Sequence, residues 1–322
     1  MKAVCVHETG GPDRLVYEET PLPSPGPGQV LIGIRSIGVN FIDIYHRKGI
    51  YPAATPFIPG MEASGIAEEL GEGVTAIKPG DRVAYAMTLG SYAEYAVVES
   101  ERLIPIPESM EFESASAALL QGMTAHYLTH STFPLQKGAA LLLHAAAGGV
   151  GLLLTQIARR MGAYVIATVS TDEKAALARE AGAEDVVLYS RSDFESEVKR
   201  ITAGAGVDVV FDSVGRDTFD KSLNCLKPRG TMVLFGQSSG TVPPLDPNIL
   251  NPRGSLYLTR PNLSHYVADR AELLQRAGDI FRWIDEGSLK IHIDGVISLR
   301  DASEAHRLLE SRNTRGKVLL RP

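Results

Sequence analysis

A glycine-rich turn between an apolar strand and a helix constrains the fold of this chain more than any other segment. The predicted strand Leu141–Ala146 runs into Ala-Gly-Gly-Val-Gly, which ends at Gly151. Glycines at such a junction let a phosphate approach the backbone and the unpaired N–H groups of a helix N-terminus. The G-x-G-x-x-G fingerprint has Ala146 in its first position here, and Gly148 and Gly151 in the other two. The segment therefore predicts a pyrophosphate-binding turn.

Around this turn, apolar strands alternate with amphipathic helices. The predicted strands are Leu141–Ala146, Tyr164–Val169, Val186–Tyr189, Val207–Phe211, Thr231–Phe235 and Ser255–Thr259. The predicted helices are Glu113–Thr129, Leu152–Met161, Glu173–Ala181, Phe194–Thr202 and Thr218–Leu226. A βα alternation of this kind is typical of a parallel sheet with helices on both faces. The pattern predicts a Rossmann-type doubly wound parallel sheet in an α/β protein.

The flanking segments are richer in short strands that proline and glycine separate. We expect strands at Lys2–His7, Val30–Val39, Ser64–Leu70, Arg82–Tyr85, Tyr92–Val98, Gly295–Leu299 and Lys317–Leu320, and helices at Tyr266–Glu286 and Ala302–Leu309. Many short strands with such turns favour a barrel or a sandwich. We therefore expect a dinucleotide-binding domain, residues 124–263, inserted into a β-rich domain that residues 1–123 and 264–322 form.

The residues after the second strand of the sheet bear on the choice between NAD and NADP. An NAD site usually has an acid at the end of this strand, about 20 residues beyond the glycines. Here the strand ends at Ser170, and Asp172 has a local role in the first turn of a helix that Ser170 or Thr171 caps. Ser170 and Lys174 suit a 2′-phosphate, through a hydroxyl group and a positive charge. The sequence favours NADP, and Asp172 keeps NAD open.

Charge and cysteine content exclude several classes of protein. The net charge is −6 and no five like charges cluster, so there is no basic patch for nucleic acid or a membrane surface. Cys5 and Cys225 cannot build a disulfide framework, which favours a reducing cytoplasm. The uncharged stretch between Lys137 and Arg159 could span a bilayer, but its central glycines predict a buried strand and a buried helix instead.

Neither a metal site nor a hydrolytic nucleophile is indicated. A catalytic zinc needs three protein ligands and a structural zinc usually four. His126 and His130 have the i, i+4 spacing of ligands on one helix face, but no third ligand stands near them, and we expect ordinary helix residues. His144 lies inside a predicted strand and is expected to be a core histidine. Neither cysteine has an obvious activating partner in the sequence.

A set of motifs along the whole chain resembles the zinc-free quinone oxidoreductases, the ζ-crystallin type, of the medium-chain dehydrogenase/reductase superfamily. The motifs are Gly38–Asp43, Pro59–Glu62, Pro79–Val83, Gln121–Ala125, Ala145–Gly151, Asp212–Gly215, Phe235–Gly240, Leu309–Arg312 and Gly316-Lys317. Zinc-using relatives have a cysteine where Asn40 stands and a histidine where Met61 stands. The resemblance therefore implies a β-rich GroES-like domain, NADPH as cofactor and no metal.

The resemblance also implies which residues bind the cofactor. Asn40, Phe41 and Tyr45 would line the nicotinamide end, and Arg312 would come from the C-terminal segment. Ser170, Lys174 and Tyr189 would surround the 2′-phosphate. The remaining expected contacts are Tyr127, Gly148, Gly149, Val150, Gly151, Ser213, Phe235, Gly236, Ser238, Thr259 and Arg260.

The expected reaction is hydride transfer from NADPH to a quinone, with Asn40, Tyr45 and Tyr51 at the reacting end. A first alternative is reduction of an alkenal or an enoyl thioester, because Gly49–Pro52 is similar to a segment of zinc-free enoyl-thioester reductases in which the tyrosine donates a proton. Tyr51 would then be the proton donor. A second alternative is a non-enzymatic, crystallin-like role for an NADPH-binding protein.

The last predicted strand of the parallel sheet bears on assembly. Ser255–Thr259 carries no charge and no proline, the features that protect an exposed sheet edge from pairing. The resemblance implies a homodimer in which two such edges meet across a two-fold axis.

Overall fold

The computed structural model describes residues 1–322, which divide into two compact units. The first unit consists of Met1–Met123 and Val267–Pro322, and the second is Thr124–Tyr266. The second boundary falls at Tyr266 rather than at residue 263, because a short helix, Leu263–Tyr266, belongs to the second unit. That the units are separate domains stays a prediction.

The elements are numbered in chain order. The strands are β1 (Lys2–Cys5), β2 (Val16–Glu19), β3 (Gln29–Gly38), β4 (Glu62–Leu70), β5 (Arg82–Ala86), β6 (Tyr95–Glu99), β7 (Ile104–Pro105), β8 (Ala140–Leu143), β9 (Tyr164–Val169), β10 (Asp185–Leu188), β11 (Val207–Asp212), β12 (Leu226–Leu234), β13 (Tyr257–Thr259), β14 (Ile293–Ser298) and β15 (Lys317–Arg321). The helices are α1 (Phe41–Arg47), α2 (Phe112–Tyr127), α3 (Gly149–Arg160), α4 (Asp172–Ala181), α5 (Phe194–Ile201), α6 (Phe219–Asn224), α7 (Leu263–Tyr266), α8 (Arg270–Asp285) and α9 (Ala302–Glu310).

The second unit is built on a six-stranded parallel sheet in the order β10-β9-β8-β11-β12-β13. Its central strands are uniformly apolar, and Leu141–Leu143 and Val209–Phe211 have no exposed surface. Such runs form strands that are covered on both faces, as in doubly wound folds. The predicted Rossmann-type sheet is confirmed. Strand order reverses between β8 and β11, the point where such sheets bind ligands.

The first unit is built on a seven-stranded sheet in the order β14-β15-β3-β4-β5-β7, with β6 paired to β3. Its core includes Val30, Ile32, Ile37 and Val83, all fully buried. The C-terminal strand β15 pairs antiparallel with β3, so that Leu319 lies opposite Gly38. The C-terminus therefore completes the sheet, as the sequence predicts, and brings Lys317 to the residues around Gly38.

Several predicted elements have different limits. The strand predicted over Leu141–Ala146 ends at Leu143, because Ala145 adopts a left-handed conformation with φ 53°. The helix predicted over Tyr266–Glu286 begins at Arg270, where the Asp269 side chain accepts hydrogen bonds from the N–H groups of two residues in the first turn. The first-domain prediction omits β2, and the strand predicted over Ser255–Thr259 is formed only by Tyr257–Thr259. Helix α2 ends at Tyr127 and passes into a π-helical turn over Leu128–Thr132.

The uncharged stretch after Lys137 forms β8, the glycine-rich turn and α3, as predicted. None of the helices combines the length and apolar character that crossing a membrane requires.

Candidate active site

The predicted cofactor residues of the second unit follow the carboxyl ends of its parallel strands. Gly148–Gly151 follow β8, Ser170 and Lys174 follow β9, Tyr189 follows β10 and Ser213 follows β11. Phe235, Gly236 and Ser238 follow β12, and Thr259 and Arg260 lie at the end of β13. Because the strands are parallel, these positions share one edge of the sheet. That they contact a cofactor stays a prediction.

The turn after β8 has the close packing that a phosphate cradle needs. Gly148 is the residue before α3, and the first helical hydrogen bond runs from the Leu152 N–H to the Gly148 carbonyl, 2.9 Å. The N–H groups in the first turn of a helix have no acceptor within it. A Cβ on Gly151 would lie 2.4 Å from the Ala145 carbonyl oxygen, so only glycine fits there. This cradle fits a pyrophosphate.

The loops after β11 and β12 are joined by hydrogen bonds and close packing. Asp212 is fully buried, and its Oδ1 accepts from the N–H groups of Val214 and Gly215 at 2.7 and 3.0 Å. The Ser238 N–H donates to the Ser213 carbonyl at 3.1 Å, and a Cβ on Gly236 would meet that carbonyl at 2.6 Å. The loop residues predicted to contact the cofactor are therefore held by the protein alone.

Thr171, and not Ser170, caps the helix after β9. Its Oγ1 accepts from the Lys174 N–H at 3.3 Å, which leaves Ser170 at the strand end, half-buried. Tyr189, at the end of β10, has 48% of its surface exposed. Asp172 is paired with Arg191, a residue for which the sequence suggests no role.

Tyr127 is the last residue of α2 and does not follow a strand of this sheet. It is 2% exposed, and its ring stacks on that of Tyr266 with centroids 4.2 Å apart. The structure thus gives Tyr127 a protein partner, and its predicted contact with the cofactor stays a prediction.

The histidines of the second unit pack as ordinary residues. His144 is a core histidine, as predicted: Nδ1 lies 2.9 Å from Thr168 Oγ1, and Nε2 lies 2.9 Å from Ser222 Oγ. Burial lowers the pKa of His144 below its usual range. The rings of His126 and His130 stack at 4.2 Å. No group of three or more His, Cys, Asp or Glu side chains is arranged to hold a metal ion.

In the first unit, the side chain of Asn40 is engaged by the protein on both ends. Its Nδ2 donates to the Gly38 carbonyl at 3.1 Å and to Glu62 Oε2 at 2.9 Å. Its Oδ1 accepts from Lys317 Nζ at 2.8 Å and lies 3.5 Å from Gln121 Nε2. Asn40 is 4% exposed. An amide has two N–H donors and one acceptor oxygen, so Asn40 has no donor left for a substrate.

Asn40 binds to a buried ion pair. Lys317 Nζ lies 2.5 Å from Glu62 Oε2, and these side chains are 1% and 0% exposed. The other carboxylate oxygen, Oε1, accepts from the Leu120 N–H in α2 at 2.5 Å. A Cβ on Gly38 would lie 2.2 Å from Glu62 Oε2, so glycine at position 38 makes room for the carboxylate. The pair joins β4, α2 and β15 to the residue that precedes α1.

A second set of buried polar groups holds the other side of α1. Arg47 Nη1 lies 3.2 Å from His306 Nδ1, His306 Nε2 lies 2.9 Å from the Tyr92 hydroxyl, and that hydroxyl donates to Asp43 Oδ2 at 3.1 Å. Arginine can only donate, so Nδ1 is the acceptor and Nε2 carries the proton. The Asn40 N–H also donates to Asp43 Oδ2, at 2.8 Å, which connects this set to the ion pair.

The pKa values of this second set are displaced in opposite directions. Burial raises the pKa of Asp43 to about 7, and its Oδ1 has no hydrogen-bond partner. Burial, together with the Arg47 guanidinium, lowers the pKa of His306 to about 3. His306 is therefore neutral across the physiological range.

Aromatic rings cover α1 and the segment after it. The Tyr45 ring is 6.3 Å from that of Phe41 and meets the Tyr51 ring edge-on at 5.3 Å. Tyr45 is 8% exposed, and Tyr51 is half-buried. The structure thus brings three predicted site residues together. Arg312 stands in the turn after α9 with φ 58°, exposed.

Sequence reasoning assigns no role to Glu62, Asp43, Tyr92, His306 and Lys317. Two weak signals exist, because three apolar residues follow Lys317 and a stretch without charges precedes Glu62. Their pairing has no local signal, since 255 residues separate them.

A Rossmann sheet with a glycine cradle, joined in sequence to a β-rich unit, defines a nucleotide-dependent dehydrogenase or reductase of the medium-chain type. Two family models match: the alcohol dehydrogenase GroES-like domain over residues 26–108, and the zinc-binding dehydrogenase over residues 149–273.

Individual proteins that are similar to this chain identify its family within the medium-chain class. The chain is 44% identical over 317 residues to a quinone oxidoreductase of Pseudomonas aeruginosa, covering 97% of each. It is 42% identical to a 2-haloacrylate reductase of Burkholderia, covering 100% of this chain and 99% of that protein. The crystal structure of Escherichia coli quinone oxidoreductase complexed with NADPH matches with a TM-score of 0.98, at 42% identity over the whole of both chains. The chain belongs to the quinone oxidoreductase family of the medium-chain dehydrogenase/reductase superfamily.

The buried ion pair yields a first prediction. Lys317→Met leaves the Glu62 carboxylate buried without its ammonium, and we expect a loss of about 3–5 kcal/mol in the free energy of unfolding. The double variant Lys317→Met/Glu62→Gln removes the unpaired charge and should lose less than the single variant. Urea unfolding measures both, and a double variant less stable than Lys317→Met would contradict the pairing.

The displaced pKa values yield a second prediction. A carboxyl group whose pKa is raised in the folded state makes folding more favourable at low pH. A histidine whose pKa is lowered in the folded state makes folding more favourable at high pH. Each changes the free energy of unfolding by up to ~1.4 kcal/mol per pH unit, over the range between its pKa in the folded state and its pKa in the unfolded state. Between pH 7 and pH 5 the contributions of Asp43 and His306 therefore oppose each other.

Replacing Asp43 or His306 removes the pH-dependent contribution of that residue to the free energy of unfolding. As the pH falls from 7 to 5, Asp43→Asn should lose stability relative to the unmodified protein, and His306→Gln should gain it. Urea unfolding at several pH values measures these slopes. Two variants that both run parallel to the unmodified protein would contradict the displaced pKa values.

Proposed function

We propose that this protein is an NADPH-dependent quinone reductase that transfers hydride without a metal. The observation that carries the proposal is the match along the whole chain to quinone oxidoreductases, one of them complexed with NADPH. The glycine cradle after β8 and the residues at the ends of β9 and β10 support it.

Bound NADPH supplies the hydride, and a quinone that accepts it takes up one further proton to become the hydroquinone. The chain's own residues bind the cofactor and orient it. The N–H groups at Gly149 and Val150 hold the pyrophosphate, and Ser170, Lys174 and Tyr189 hold the 2′-phosphate. A quinone is already electrophilic, so the protein needs to supply position and polarity more than acid catalysis.

We infer that Asn40 is a positioning residue and not the catalytic one that the resemblance suggests. With its Nδ2 hydrogens donated to Gly38 and Glu62 and its Oδ1 bound to Lys317, Asn40 anchors the start of α1. We assign Phe41 and Tyr45, which α1 carries, to the nicotinamide end of the site. The ammonium of Lys317 already neutralises Glu62, and Asn40 and Met61 are not zinc ligands, which supports a reaction without zinc.

A second candidate function is reduction of an activated carbon–carbon double bond. The similarity to a 2-haloacrylate reductase favours it. Such a substrate needs a proton on carbon after hydride addition, and Tyr51 is the candidate donor because it is half-buried beside Tyr45.

The variant Tyr51→Phe separates the two functions. A positioned acid contributes typically 10²- to 10⁴-fold to such a step. We expect a loss of only a few-fold in kcat with a naphthoquinone, because hydride transfer to a quinone needs little proton donation. NADPH oxidation is followed with a naphthoquinone, 2-chloroacrylate and crotonyl-CoA, and Tyr95→Phe, on β6, is the control.

If 2-chloroacrylate or crotonyl-CoA is the better substrate and Tyr51→Phe lowers its kcat by the larger factor with NADPH binding preserved, the second function replaces the first.

We also infer a homodimer in the cytoplasm. The two cysteines are buried and unpaired, in keeping with a reducing compartment. Strand β13 is the last of the parallel sheet, and Tyr257 and Leu258 on it are 62% and 37% exposed. An uncharged edge strand invites pairing with a second copy.

A charge on this strand tests the dimer. Leu258→Lys should convert the dimer to a folded monomer, because burying an ammonium group in the interface between the two copies is costly. The control is Leu274→Lys on α8, a leucine of nearly equal exposure, 38%. Light scattering that finds a monomer before any substitution, or a dimer that survives Leu258→Lys, would contradict the assignment.

A further inference from the structure

We propose that Arg191 is a determinant of the preference for NADPH over NADH, and that it acts by neutralising Asp172. The inference rests on the proposed use of NADPH. It concerns a residue to which neither the sequence motifs nor the glycine cradle assigns a role.

Asp172 is an obstacle to NADPH when taken alone. It is the first residue of α4, three positions beyond the end of β9 at Val169. An acid close to the end of the second strand accepts hydrogen bonds from the ribose hydroxyls of NAD. The same carboxylate repels a 2′-phosphate. An unopposed Asp172 would therefore favour NADH.

Arg191 occupies both oxygens of that carboxylate. Its Nη1 lies 3.0 Å from Asp172 Oδ1, and its Nη2 lies 2.5 Å from Oδ2. A bidentate pair of this kind adds geometric specificity to the attraction between the charges. The charge of Asp172 is balanced, and each of its oxygens accepts from one protein donor.

The sheet places Arg191 there. Strand β10 lies parallel to β9, so the segments after these strands share one edge. Ser190 Oγ donates to the Ser170 carbonyl at 2.8 Å, which fixes the segment of Arg191 against that of Ser170. Both side chains of the ion pair remain 65% exposed, at the edge where we place the 2′-phosphate.

Simple charge counting gives the direction of the effect. Asp172, Glu173 and Lys174 sum to −1, and Arg191 brings the group to 0. Removing the guanidinium thus restores a net negative charge beside the proposed 2′-phosphate position. The effect should weaken with salt, because exposed charges are screened.

The test is equilibrium binding of NADPH and NADH, measured by nicotinamide fluorescence without any quinone. At low salt, we expect Arg191→Gln to weaken NADPH roughly 5- to 50-fold and to leave NADH within about two-fold. The double variant Arg191→Gln/Asp172→Asn should recover most of the NADPH affinity, because the unopposed acid is gone. The control is Arg200→Gln, which breaks the exposed pair of Arg200 with Glu197 on α5.

The outcomes separate the two proposals. Equal losses for NADPH and NADH, no loss for either, or a double variant as weak as Arg191→Gln would overturn the role of Arg191. An unmodified protein that binds NADH as well as NADPH would instead overturn the cofactor assignment. Failure to reduce quinones would leave these binding results unaffected.

Discussion

The buried pair of Lys317 and Glu62 is the interaction on which the arrangement of the first unit depends. Removing two charges from water costs several kcal/mol for each ion, and only close contact and further hydrogen bonds repay that cost. Here the Asn40 amide and the Leu120 N–H complete the set. The strand β15 must therefore return to β3 after the whole second unit, and the start of α1 is fixed as a result.

The two units contribute different kinds of groups to the proposed reaction. The second unit offers backbone: a glycine cradle, loops held by Asp212 and strand ends that share one edge. The first unit offers side chains, and its buried polar side chains around α1 bind each other. Asn40, Asp43 and His306 bind neighbouring residues around α1. The rings of Phe41, Tyr45 and Tyr51 pack beside one another, and their contact with a substrate stays a prediction.

Local sequence patterns predicted the second unit well, because each strand of its parallel sheet is one contiguous apolar segment. The predicted site residues follow the ends of these strands, which share one edge of the sheet. Long-range contacts were beyond those patterns: Lys317 with Glu62, and Arg191 with Asp172, carry no periodicity. One missed boundary was readable, since Asp269-Arg270-Ala271-Glu272 has the Asp-x-x-Glu form that often begins a helix. Motifs also give no sign that the Tyr127 ring stacks on Tyr266, and the cofactor contact predicted for Tyr127 stays a prediction.

The most direct test of the account is a single turnover of NADPH carrying deuterium at one or the other C4 position, with a naphthoquinone as acceptor. Hydride transfer to the quinone predicts rapid oxidation of the cofactor, with a primary isotope effect from one C4 position only. The account would be contradicted if quinones left the bound cofactor reduced, or if oxidation were insensitive to deuterium at both positions.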